Sequence, residues 1–145
     1  MYDFAYHKPS SVADAVAARS GAEDGTYVAG GQTLIPTLKQ RLAQPSDMVD
    51  LGGVAELSGI SVAGDTVTIG AMTTHAAVAG SADVQGAIPA LAALAGGIGD
   101  PQVRNRGTIG GSIANNDPAA DYPSACLALG ATIKTDKREI AADDF

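Results

Sequence analysis

Apolar positions fall along this chain in short bursts, and their spacing switches between helical and strand-like several times. After an extended Pro9, Ser10-Ser11 offer hydroxyls to cap a helix through Val12–Arg19 that ends near Gly21. Thr26–Ala29 reads as a short buried strand running straight into Gly30-Gly31. From Thr33 a second helix is predicted, with Leu34, Ile35, Leu38 and Leu42 on one face and Lys39, Gln40 and Arg41 outward. Pro36 falls in its first turn, where a missing N–H costs little. Met48–Leu51 is a second short strand. Gly52-Gly53 then marks a change of character.

Beyond it, Gly59–Val62 and Thr66–Ile69 alternate on either side of Ala63-Gly64-Asp65, which predicts a β-hairpin. Thr73-Thr74 cap a short helix, His75–Ala79. Ile88–Ala95 is an apolar helix stopped by Gly96-Gly97. From Gly97 to Pro118 the chain has turn chemistry and little amphipathic period, so an irregular loop is expected there. Pro123–Leu129 reads as helix, and Ala131–Lys134 and Arg138–Ile140 as strands. The class is α+β, with lobes of residues 1–52 and 53–145.

Composition narrows the function. At 145 residues the chain fits one domain or a domain with a small second lobe; 46% hydrophobic and 17% charged residues mark it as globular. A net charge of −7 disfavours nucleic acid or an anionic membrane as partner. An anionic cofactor stays open, because backbone N–H groups bind phosphate without lysine. Cys126 stands alone, so neither a disulfide nor an Fe–S or zinc ligand set is available, and no metal site is expected. Without a signal-peptide core or a spanning stretch, a cytoplasmic location is the expectation.

Two glycine segments carry the candidate chemistry. Ala29-Gly30-Gly31-Gln32-Thr33-Leu34 joins a strand to a helix. Adjacent glycines there can turn N–H groups toward one point, the helix start adds partial positive charge, and Thr33 adds a hydroxyl. That arrangement suits a pyrophosphate, though a plain strand-to-helix turn has the same pattern. Gly107-Thr108-Ile109-Gly110-Gly111-Ser112 leads into Ala114–Asp121. Its glycines could admit a flat ring close to the backbone, while Asn115 and Asp121 could bond hydroxyls. A solvated surface loop is the alternative. Neither segment continues as GxGxxG or GxxxxGK[ST]. His7 and His75 lack a nucleophile partner, so no catalytic acid–base or nucleophilic centre is expected. Cys126 reads as buried and inert, Tyr122 as packed near a bound cofactor or in the core, and Arg104 and Arg106 as facing a cofactor, a partner or solvent.

Taken in order, Ala29 to Pro36 and Thr108 to Gly111 resemble the AGG-x-S/T-L-x-P and TIGG segments of the FAD-binding subunits of molybdenum hydroxylases. The carbon monoxide dehydrogenase medium subunit is the nearest type. Asp3–Pro9, Ile69–Thr74, Asp100–Arg104 and Asp117–Pro123 extend the likeness over essentially the whole chain. The resemblance implies a two-lobed FAD-binding fold of the vanillyl-alcohol oxidase or PCMH type. It assigns the FAD pyrophosphate to Ala29, Gly30, Gly31, Gln32 and Thr33, with Leu34 beside them. It lays Thr108, Ile109, Gly110, Gly111 and Ser112 along the flavin and ribityl chain, and gives Asn115 and Asp121 the cofactor's hydroxyls.

The same resemblance implies an electron-transfer role. Substrate would be hydroxylated at a molybdenum cofactor in a large subunit, and electrons would pass through [2Fe–2S] clusters of a small subunit to FAD. They would leave to an acceptor such as NAD⁺, quinone or oxygen. Ser112 departs from the family's frequent Asn. Family members also continue past the equivalent of Phe145, so a shortened second lobe and an absent C-terminal domain are expected. A stand-alone flavin oxidoreductase of the same superfamily, or a docking module that no longer holds FAD, are the rival readings.

Overall fold

The computed structural model describes residues 1–145. Strands β1 (Ala5–His7), β2 (Gly25–Val28) and β3 (Asp47–Asp50) form one parallel sheet in the order β1-β3-β2. Parallel neighbours need crossovers, supplied by α1 (Val12–Gly21) and α2 (Leu34–Lys39). Ser11 caps α1 by accepting the Asp14 N–H at 3.1 Å. Val28, Leu38 and Met48 are buried together, with Phe4, Leu34, Ile35 and Ala43 packed around them.

Helix α2 ends sooner than its apolar stripe suggests. The Arg41 N–H donates to the Leu38 carbonyl at 3.0 Å and the Leu42 N–H to the Thr37 carbonyl at 3.1 Å. Arg41 itself has φ +58°, so this is a Schellman stop with an arginine where glycine is favoured. The turn throws Leu42 outward to 73% exposure. The expected placement of Leu42 on the buried face is therefore wrong.

Two short 3-10 turns, Leu51–Gly53 and Ala55–Leu57, lead out of the sheet and bury Val54 between them. Strands β4 (Ile60–Ala63) and β5 (Thr66–Ile69) pair antiparallel, with Ala63 opposite Thr66 and Gly64 at φ +57°. A two-residue hairpin loop needs that left-handed residue. The Thr73 hydroxyl holds the hairpin's base: it donates to the Gly59 carbonyl and accepts the Gly59 N–H, both at 3.0 Å. Six helices follow: α3 (His75–Gly80), α4 (Ala82–Ala87), α5 (Pro89–Gly97), α6 (Pro101–Arg104), α7 (Ile109–Asn115) and α8 (Asp121–Ala128). An antiparallel pair, β6 (Thr132–Lys134) and β7 (Glu139–Ala141), comes next, and a 3-10 turn, Ala142–Asp144, closes the order. A second core gathers Val78, Val84, Leu91, Ala92, Ala95, Ile109 and Tyr122. Each fully buried aliphatic side chain there stabilises the fold by about 1.5–3 kcal/mol.

Two sequence expectations need correction here, and one helix was missed. Helix α5 runs through Gly96 and Gly97 instead of stopping before them. Helix α4 was not anticipated, since only Val84 is buried in it and Gly86 weakens its pattern. The stretch from Gly97 to Pro118 is not an irregular loop but contains α6 and α7. Two glycines costing about 1 kcal/mol each hide α7 from any propensity argument. Side-chain caps and neighbouring backbone hold both helices instead: Asp100 accepts the Val103 N–H at 2.8 Å, and Thr108 accepts the Gly111 N–H at 3.1 Å. No helix is long and apolar enough to cross a membrane.

Candidate functional site

At the carboxyl end of β2 the chain turns through Ala29, Gly30 and Gly31 into α2. Gly31 has φ +75°, a conformation that L side chains rarely adopt. Its carbonyl accepts the Ile35 N–H at 3.0 Å, and the Thr33 carbonyl accepts the Thr37 N–H at 3.2 Å. The N–H groups of Gly31, Gln32, Thr33 and Leu34 find no acceptor in the chain, as the first turn of a helix requires. Thr33 makes no capping bond through its side chain and is exposed, as is Gln32, whose amide donates to the Gly30 carbonyl at 3.2 Å. Leu34 begins the helix and packs on the Val28–Leu38–Met48 core.

The second segment is built the opposite way. Thr108, 4% exposed, caps α7, and every early N–H of that helix has a partner. Ile109 N–H donates to the Thr73 carbonyl at 3.0 Å, Gly110 N–H to Ala71 at 2.9 Å, and Ser112 N–H to Thr108 at 3.0 Å. In return His75 N–H donates to the Gly107 carbonyl at 3.0 Å, and Thr74 bridges Thr108 antiparallel. Residues 107–112 are thus laced onto residues 71–75. Gly110 serves that packing: a Cβ there would stand 2.5 Å from the Ala71 Cβ. The room expected beside Gly110 for a flat ring is taken, on its Cβ side, by the chain itself.

The two segments meet. A Cβ on Gly30 would lie 2.2 Å from the Arg106 carbonyl oxygen and 2.7 Å from the Gly107 Cα. A Cβ on Gly111 would lie 3.3 Å from the Ala29 Cβ. Backbone therefore rests on backbone across some eighty positions of sequence, and only glycine permits it.

Asn115 and Asp121 stand at the end of α7 and the start of α8, both exposed and without side-chain hydrogen bonds to the chain. Asn116 between them is left-handed, with φ +46°, and turns the chain from one helix toward the other. Ser112 is half-buried within α7. Arg104 is engaged by the chain itself. Its guanidinium donates to the Ile98 and Gly99 carbonyls at 3.2 and 2.9 Å, bracing the turn between α5 and α6. Cys126 is half-buried instead of fully buried, and desolvation pushes its thiol up. Tyr122 is fully buried in the second core; burial, and to a smaller degree Cys126, pushes its phenol far above the ordinary range. His75 is 5% exposed and its ring lies 5.3 Å from that of Tyr122. Desolvation holds its imidazole below the usual histidine range. His75 was set aside in the sequence for want of a partner; its position under Gly107 emerges only from the fold.

A family model described as the FAD binding domain in molybdopterin dehydrogenase matches residues 2–145. The chain belongs to that family. It is 43% identical to the nicotine 6-hydroxylase medium subunit of Paenarthrobacter nicotinovorans, over 97% of this chain and 51% of that protein. Among solved structures, carbon monoxide dehydrogenase from Hydrogenophaga pseudoflava superposes with a TM-score of 0.94 at 44% identity, over 98% of this chain and 51% of that one. Quinoline 2-oxidoreductase from Pseudomonas putida 86 gives a TM-score of 0.95 at 36% identity, over 99% and 52%. The chain spans about half the length of the curated relatives it matches. The α+β FAD-binding fold expected from the sequence is the fold observed, and FAD is the cofactor of this domain. The residues fit that cofactor: the four unpaired N–H groups at the start of α2 suit a pyrophosphate, which a positive helix end favours.

Proposed function

We propose that this chain is the FAD-binding, electron-transfer part of a molybdenum-containing hydroxylase or dehydrogenase. Residues 1–52 and 53–145 act as two lobes, with FAD held at their junction. Ala29, Gly30, Gly31, Gln32, Thr33 and Leu34 hold the pyrophosphate through backbone N–H groups, with the Thr33 hydroxyl adding a donor. Thr108, Ile109, Gly110, Gly111 and Ser112 form the wall beside the flavin and ribityl chain. Asn115 and Asp121, both free of other bonds, take cofactor hydroxyls. When bound, FAD supplies the redox chemistry, and the protein supplies position and electrostatics.

Substrate oxidation belongs to a molybdenum-cofactor large subunit. Electrons arrive from [2Fe–2S] clusters of a small subunit and leave to an external acceptor. The observation that carries the reading is the contact of Gly30 with Arg106 and Gly107, which sets the open N–H groups of the first segment beside the laced second one.

The test is the visible spectrum of the purified chain with added FAD, before and after desalting. A flavin spectrum that stays with the protein supports the two-segment site. A chain folded by circular dichroism that retains no flavin, together with a relative's full-length subunit whose binding ignores the equivalent of Gly111→Trp, overturns it.

A further inference from the structure

His75 is a titratable group that the proposed cofactor site does not use, yet it lies directly beneath it. A Cβ on Gly107 would stand 2.5 Å from its Nε2, so imidazole and loop backbone are in close contact. The His75 backbone N–H donates to the Gly107 carbonyl at 3.0 Å. The next carbonyl upstream, that of Arg106, is the one against Gly30. The imidazole is thus one residue removed from the junction of the two glycine segments.

Its surroundings are built for a neutral ring. His75 is 5% exposed, and its Nδ1 is buried with no hydrogen-bond partner. Facing groups are few. On α8, Tyr122 presents its ring and Cys126 stands further along; burial holds both in their neutral forms at ordinary pH. On α6, Arg104 is engaged by the Ile98 and Gly99 carbonyls. Helix α5, Pro89–Gly97, has no ionisable side chain, nor does the rest of α3. No carboxylate forms a salt bridge with the ring. An imidazolium here would be a buried, uncompensated cation.

We propose that His75 is the positioning residue of the second glycine segment, and that the segment closes on the FAD site only while the imidazole is neutral. The inference rests on the two-segment site described above. The Gly107 turn is the backbone packed against the ring, and it is the element that yields when the ring takes a charge. Displacing that turn withdraws Arg106 and Gly107 from Gly30.

The sign follows from linkage. The closed form holds the histidine below its unfolded value, so closure is unpenalised above about pH 6.5 and is progressively opposed as pH falls below it. FAD selects the closed form, so it must in turn lower the histidine's apparent value further.

The experiment is an FAD titration of the intact chain between pH 8 and pH 5, alongside NMR titration of the imidazoles with and without FAD. The chain has two histidines, and a His7→Asn variant identifies the second signal. The expected result is an affinity constant above pH 7 that falls by up to tenfold per pH unit below about pH 6.5. His75→Gln should flatten that fall, and His7→Asn should leave it. If His75→Gln does not fold, the NMR arm decides alone: FAD must shift the His75 titration downward. Affinity independent of pH, or a His75 titration unmoved by FAD, overturns the proposal. Absence of FAD binding at every pH instead removes the two-segment site, and this inference with it.

Discussion

A single methyl group at Gly30 tests whether the two glycine segments must touch. In Gly30→Ala the new Cβ would meet the Arg106 carbonyl oxygen at 2.2 Å and the Gly107 Cα at 2.7 Å, where ordinary contact begins at 3.4 Å. Neither neighbour is the end of a flexible side chain. Both belong to a turn already tied to His75 through the Gly107 carbonyl. One backbone must shift by roughly 1 Å, and overpacking of this kind costs about 1–3 kcal/mol. For a domain of this size that lowers Tm by about 3–10 °C. If FAD needs the segments together, the same energy appears as an affinity loss of about 5- to 150-fold. Gly97→Ala is the control: a Cβ there meets nothing within 4 Å at the end of α5. Replacing glycine by alanine at that helical site should be neutral or add up to about 1 kcal/mol. Calorimetry and an FAD titration on both variants read the two effects. Equal Tm and equal FAD affinity for the two alanine variants would refute the contact as the basis of the site.

Two further substitutions probe the fold itself. Arg41→Gly relieves the left-handed backbone at the end of α2 while losing a guanidinium stacked 5.4 Å from the centre of the Tyr2 ring. The relief of about 1–2 kcal/mol exceeds the roughly 0.5 kcal/mol of an exposed cation–π pair, so urea denaturation should show a more stable chain. A lower midpoint contradicts the Schellman assignment. Tyr122→Phe removes a buried hydroxyl that has no hydrogen-bond partner. Stability should be unchanged or rise by about 1 kcal/mol, and a loss greater than that would reveal a partner the fold does not show.

The sequence by itself determined the α+β class, the capped start of α1, the hairpin from Ile60 to Ile69, and the cap ahead of His75. In each, neighbouring residues carry the whole signal: a hydroxyl before an apolar run, or a glycine turn between alternating arms. It also singled out Gly30-Gly31 and Thr108–Gly111, through motif order more than geometry, and the fold brings the two segments into contact. What it could not determine was how they are used. Helix α7 was hidden because its glycines speak against helix, while the groups that stabilise it, the Ala71 and Thr73 carbonyls, lie more than thirty positions upstream. The Thr108 cap is local, yet it is outweighed until those carbonyls arrive. Leu42 was misplaced because a stop with Arg41 at positive φ carries no glycine to announce it. Only the tertiary structure decided that Gly30 needs no side chain because a distant backbone occupies the space, and that His75 lies under that same backbone. A residue's partners across the fold are a property of closure, and no local pattern encodes them.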